Sequence, residues 1–146
     1  MVEKKTTTRK KKERRAADVP EAVFVLVEAV QSKKASDVVI LDLRGLTDVA
    51  DFFLLCTADV DTHARAIMDA ARDALRSLNR RPWHVEGEDA PSWILIDYVD
   101  IVVHILREDA RRFYGLEEMW ADAPRVPTPD LSAPKKRKTA AATEES

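Results

Sequence analysis

The sequence predicts an α/β domain with a mixed β-sheet flanked by helices, and three observations predict it. A stripe of Ala64, Ile67, Met68, Ala71, Leu75 and Leu78 carries the helical period, with Arg65, Asp69, Arg72, Asp73 and Arg76 on the opposite, water-facing side. Several runs rich in β-branched residues, such as "DVVILDL" and "DIVVHIL", are too short for helices and suit strands. The two kinds of pattern alternate along the chain, which argues for helices packed on a sheet.

Taken in order, the elements begin with a helix. Val23, Leu26, Val27 and Val30 share one helical face, and Asp18 followed by Glu21 resembles a capping box before it. Strands follow at 37–43 ("DVVILDL") and 51–58 ("DFFLLCTA"), with Gly45 in the turn region between them. Asp61 is placed to cap the central amphipathic helix. "PWHVE" predicts a third strand, "WILID" a fourth and "DIVVHIL" a fifth, and "DARRFYGLEEMW" predicts one or two short helical turns. Phe113, Leu116 and Trp120, spaced by three and four, suit a stripe that fastens this last helix down.

Charge divides the 146 residues into three parts. Residues 1–17 hold eight Lys and Arg against two acidic residues, and residues 124–146 hold five against three. Both ends are low in complexity and read as flexible charged tails: a disordered basic arm over 1–17 and a disordered Pro/Ala/Lys-rich tail over 124–146. The folded domain then spans 18–123, with 11 basic residues against 21 acidic ones. A domain with this excess of carboxylates repels a phosphate backbone and favours a basic protein partner, leaving the tails for RNA. "PKKRK" in the last segment resembles a nuclear localisation signal, but a basic arm touching RNA explains it equally well. The absence of a long apolar run or an apolar N-terminal core predicts no membrane partner and a cytoplasmic location. Cys56 stands alone in an apolar run and reads as an inert core thiol.

The segment "SWILIDYVDIVVHIL", 92–106, sets two carboxylates and a histidine inside two strands. With Tyr98 and Val99 at the centre of a hairpin turn, Asp97 and Asp100 face each other across it. Paired carboxylates suit a divalent cation or a shared proton, so a nucleotidyltransferase-like enzyme using Asp97 and Asp100 is one reading. The phosphate cradle such chemistry needs is missing, because Gly45, Gly87 and Gly115 are widely scattered. His104 alternates with Val102 and Leu106 as a packed strand histidine would, and no serine stands in a nucleophile elbow. A noncatalytic role is favoured, with no cofactor and no metal. A third reading is an RNA-binding protein that acts through its basic tails.

The segment 85–120 closely resembles the signature of the iojap-related ribosomal silencing factors, the RsfS family. The positions carrying the likeness are Glu86, Gly87, Trp93, Asp97, Tyr98, Asp100, Val103, His104, Arg112, Phe113, Tyr114, Leu116, Glu117 and Trp120. The run "DVVILDLRGLTDVADFFLLCTA" is similar to the first two strands of that family, so the resemblance covers roughly residues 20–127. Two positions depart from it: Val99 stands where the family usually has Gly, and "DVDTHAR" replaces a small-polar segment before the central helix. A β-branched residue resists a positive φ, which predicts a different turn type at Val99.

The resemblance implies a nucleotidyltransferase-like fold stripped of its catalytic motif, and no enzyme activity. It implies binding to protein fourteen of the large ribosomal subunit, which keeps the small subunit from joining and so represses translation. On that reading Trp93, Asp97, Tyr98 and Asp100 form the partner-binding surface, with a secondary rRNA contact by the tails and a homodimer off the ribosome. Trp93 suits core and interface alike, and Trp120 suits core better.

Overall fold

A computed structural model of the chain describes residues 18–128. The expected basic arm over 1–17, and the expected tail from 129 onward, lie outside the described residues. The elements run α1 (Glu21–Ser32), β1 (Ser36–Asp42), β2 (Phe52–Ala58), α2 (Asp61–Arg76), β3 (His84–Glu86), β4 (Trp93–Asp97), β5 (Ile101–Arg107), α3 (Glu108–Tyr114), α4 (Leu116–Met119) and β6 (Arg125–Val126). Six strands form one sheet in the order β3-β4-β5-β2-β1-β6. β2 and β5 run parallel, and every other neighbouring pair is antiparallel. The sheet is therefore mixed, as the alternating patterns predict.

Both expected side-chain caps are absent. Pro20, with φ −62 and ψ 148, is the residue before α1, so Asp18 lies too far upstream to reach the first turn. The Pro20 carbonyl instead accepts the Val23 N–H at 3.0 Å. α2 begins at Asp61 itself, behind Val60. The Asp61 carboxylate thus sits inside the first turn, where it complements the positive end of the helix dipole and accepts a hydrogen bond from Arg107 at 3.3 Å.

One face of the sheet is sealed by both long helices. Val23, Leu26, Val27 and Val30 of α1 and Ala64, Ile67, Ala71 and Leu75 of α2 pack on Leu54, Cys56, Ile94, Ile96, Ile101, Val103 and Ile105. Leu78, read as the end of the α2 stripe, lies beyond the helix and is exposed. The other face carries a smaller cluster of Leu41, Leu43, Phe53, Leu55, Val102 and Leu116, with Trp93, Leu95 and Trp120 half-buried against it. Among the described residues, only the short α3 and α4 and the segment after them lie on that side.

The sheet extends into the segment expected to be a tail. Val126 pairs with Ile40 and Arg125 with Leu41, and the Asp42 N–H donates to the Pro124 carbonyl at 2.8 Å. The prolines at 124 and 127 flank this short edge strand and limit its pairing, because proline offers no N–H to a ladder. Among the described residues no helix is long and apolar enough to cross a membrane.

Candidate partner-binding face

Side-chain parity decides what the hairpin presents. Antiparallel pairing matches Trp93 with Leu106 and Asp97 with Val102, and the Tyr98 N–H donates to the Ile101 carbonyl at 2.8 Å. The two loop residues are therefore Val99 and Asp100, one position later than the sequence suggests. That slip turns Tyr98 inward, to the same side as Ile94 and Ile96. Tyr98 is only 3% exposed and belongs to the sealed core. Its hydroxyl has no hydrogen-bond partner among the described residues, and burial raises its pKa. The Arg80 guanidinium lies 5.7 Å from the ring centroid.

The carboxylates do not face each other either. Asp97 Oδ1 accepts the Val99 N–H at 2.7 Å, a turn in which a side chain mimics backbone. Asp100 Oδ1 forms an ion pair with Arg80. The Asp100 carbonyl accepts the N–H groups of Asp51 and Phe52 at 2.8 and 3.0 Å, which ties the hairpin to the start of β2. Val99 does adopt the positive φ its side chain disfavours, at +77°, and the Asp100 N–H returns to the Tyr98 carbonyl at 3.0 Å. Together these are the marks of a γ-turn with positive central φ, a strained form. Each carboxylate is thus committed to a separate local role, and the enzymatic reading loses the shared site it requires.

Trp93 behaves differently. It lies half-buried on the thinly covered face, where an aromatic series runs outward from the sheet. Trp120 meets Phe53 edge-on at 6.1 Å between ring centroids, and Phe53 meets His104 at 4.5 Å. Trp93 Nε1 donates to His104 Nδ1 at 3.1 Å and its ring stands 4.5 Å from Tyr114, which meets Phe113 at 5.0 Å. A His104 that accepts at Nδ1 carries its proton on Nε2, which is buried without a partner among the described residues. Burial pushes its pKa down to about 4, so the imidazole is neutral and serves to orient the indole.

Local backbone features hold this series in place. Gly87, at φ +91°, passes so close to Trp93 that an added Cβ would lie 2.1 Å from the Trp93 carbonyl oxygen. Gly115, at φ +58°, ends α3 in a left-handed turn and separates it from α4. Phe113 and Leu116 therefore do not share one helical stripe. Leu116 is buried, while Phe113 points out and is 80% exposed, with Tyr114 and the 66%-exposed Met119 nearby in the chain. α3 is fastened by Arg111 instead, which donates to the Asp37 carbonyl at 2.7 Å, Thr57 Oγ1 at 2.9 Å and Glu117 Oε1 at 2.9 Å. That hydrogen bond holds the Glu117 carboxyl below its usual range.

Of the four expected site residues, one surface gathers only Trp93 and, at the far end of the same strand face, Asp97. Tyr98 is core, and Asp100 is bound to Arg80. The exposed residues that adjoin Trp93 and that the sequence reading left out of the site are Tyr114 and, through it, Phe113. The glycine at 115 was the available signal, because a helix interrupted there cannot carry a continuous stripe.

Comparison with known proteins decides the family. Residues 16–146 match the RsfS family, described as "Ribosomal silencing factor during starvation". The chain belongs to the RsfS family. It is 37% identical over 106 residues to a ribosomal silencing factor RsfS of Halalkalibacterium halodurans, covering 73% of this chain and 91% of that protein. It is 33% identical over 107 residues to the chloroplastic protein Iojap of Zea mays, covering 71% of this chain and 45% of that longer protein. A crystal structure of a Bacillus halodurans protein, 34% identical, superposes with a TM-score of 0.65 over 73% of this chain and 97% of that one. The mixed α/β fold is thus shared with solved structures of relatives, and the ribosomal silencing role follows from family membership.

Proposed function

We propose that this RsfS protein represses translation by occupying the large ribosomal subunit through ribosomal protein fourteen, so that the small subunit cannot join. The observation that carries the reading is the open aromatic face, where Trp93 and Tyr114 lead out to the exposed Phe113. Contiguous exposed aromatics mark partner sites, and Trp and Tyr are the usual anchors of such interfaces. The acidic excess of residues 18–123 suits a basic partner, as ribosomal proteins commonly are. Asp97 supplies a carboxylate on the same strand face. Off the ribosome, a second copy would cover the same face and give a homodimer, and the basic tails would add a secondary rRNA contact.

Sucrose-gradient sedimentation with separated ribosomal subunits tests the reading. Comigration with the large subunit alone is expected, together with fewer joined ribosomes when the protein is added first. Comigration with the small subunit, or unchanged subunit joining at saturating protein, would overturn it.

A further inference from the structure

The acidic domain has one concentrated basic surface, and it lies away from the aromatic face. Four of the 11 basic residues in segment 18–123 fall within positions 72–81. Arg72, Arg76, Arg80 and Arg81, with Pro82, line a cleft of about 220 Å³ at the C-terminal end of α2. The chain geometry gathers them. Arg72 and Arg76 are one helical turn apart, and Asn79 then adopts φ +62°. The Arg80 N–H returns to the Leu75 carbonyl and the Asn79 N–H to Arg76, both at 2.9 Å, which folds the chain back beside the helix.

Trp83 follows immediately, and it is 74% exposed. Its N–H donates to the Asp97 carbonyl at 2.7 Å, so its backbone is fixed at the outer edge of the sheet. An indole this exposed gains little from the core, and among the described residues no helix or strand covers it. Three of the arginines have acidic partners: Arg72 with Glu88 at 3.7 Å, Arg76 with Asp73 at 2.9 Å, and Arg80 with Asp100. Of these only the Arg76–Asp73 pair is exposed on both sides, and such a pair contributes little, so a phosphate can replace that carboxylate at small cost; Arg72 and Arg80 are half-buried and hold the wall of the cleft. Arg81 is exposed and has no ion pair among the described residues.

Clustered guanidinium groups beside an exposed aromatic ring form the combination that tracks a single-stranded backbone and stacks an unpaired base. We propose that the Arg72–Arg81 cleft and Trp83 form an RNA-binding surface on the folded domain, with phosphates on the arginines and a base on the indole. The surface is distinct from the basic tails and independent of the contact proposed with a ribosomal protein.

Full-length protein titrated with a short single-stranded oligouridine RNA, over a range of salt concentrations, tests this. Arg76→Ala/Arg81→Ala should reduce the salt slope of log affinity by about 1.4, at roughly 0.7 per lost phosphate contact. Trp83→Ala should weaken binding about 5- to 150-fold and leave the slope unchanged, because stacking releases no ions. In NMR spectra of the wild type, the Trp83 indole N–H signal should shift, with those of Trp93 and Trp120 as internal controls. Wild-type affinity and slope in both variants, with an unmoved Trp83 signal, would assign all RNA binding to the basic arm and overturn the proposal. Equal competition by a polyglutamate peptide that shifts the same signal would also overturn it, in favour of an acidic protein partner. The oligonucleotide carries no ribosomal protein, so failure here leaves the large-subunit reading untouched.

Discussion

The two faces of the sheet are built from different materials. The face beneath α1 and α2 is almost wholly aliphatic, and its groups interdigitate out of reach of water. The opposite face threads an aromatic series through a smaller aliphatic cluster, holds a neutral buried histidine, and ends in side chains that stand in solvent. Aliphatic packing is forgiving in composition and dense in result, which suits a surface whose task is to hold the fold. Aromatic rings with polar edges suit a surface that must meet another molecule and still be soluble alone. On the proposed reading the contrast gives stability to one side and recognition to the other, and each side can be challenged separately.

The largest effect is expected from a charge on the sealed side. Val103 is fully buried between the helices and the sheet. Val103→Asp should cost more than about 5 kcal/mol, comparable to the whole stability of a domain this size, and leave the protein unfolded by circular dichroism. Leu95→Asp, on the half-buried opposite side, should leave a folded protein with a measurable urea transition. Similar losses in both variants would erase the distinction between the faces.

That distinction was only partly legible in the sequence. Short β-branched runs and the α2 stripe place the central strands and the second helix within a residue or two, because burial leaves a periodic trace. The run from 101 to 106 is buried on both sides, so alternation could not tell which residues face which layer. The hairpin register had to come from the turn, and a shift of one residue exchanged the roles assigned to Tyr98 and Asp100. The Arg80–Asp100 pair joins residues 20 apart and left no local pattern. The edge strand at Arg125–Val126 is too short, and too close to prolines, to be seen without its partner.

Acid should discriminate between the faces next. The folded state holds His104 neutral with a pKa of about 4, against an ordinary 6.5 in the unfolded chain. Between these values the unfolded state binds more protons, so stability rises with pH across the window and is lost as pH falls from about 6.5 to about 4. The loss from this group is on the order of 3 kcal/mol. His104→Gln should flatten that part of the profile in urea denaturation at stepped pH. Titratable groups on the sealed side act elsewhere: burial raises the Tyr98 hydroxyl and pushes the Cys56 thiol up to about 12, so both weaken the fold only in alkali. An unchanged acid profile in His104→Gln would show that the histidine is not what makes the open face acid-sensitive.

Phe113 should separate binding from folding. With its ring mostly in water, Phe113→Ala should change stability by less than about 0.5 kcal/mol. If the open face is the partner site, the same variant should weaken large-subunit binding by about 2 kcal/mol, roughly 30-fold, as loss of an aromatic anchor does. Wild-type cosedimentation of Phe113→Ala would remove the outer aromatics from the interface and leave Trp93 alone as its anchor.

The smallest effect belongs to the hairpin tip, where both faces end. Val99 is 62% exposed and holds φ +77°, so its side chain contributes little burial while its backbone is strained. Val99→Gly removes the Cβ that makes this conformation costly, but it also loosens the unfolded chain. A non-glycine residue at such a φ costs about 1–3 kcal/mol, and the added entropy of glycine returns up to about 1 kcal/mol of that. A net gain near 1 kcal/mol is expected in urea unfolding. The turn is anchored from outside by Asp51 and Phe52 through the Asp100 carbonyl, so its geometry should persist in the variant. Large-subunit binding should then stay the same, because Trp93 and Phe113 lie at the opposite end of the hairpin and beyond it. A Val99→Gly protein that is more stable yet binds less well would place the recognition surface at the tip, on the valine side chain itself, and would move it off the aromatic face.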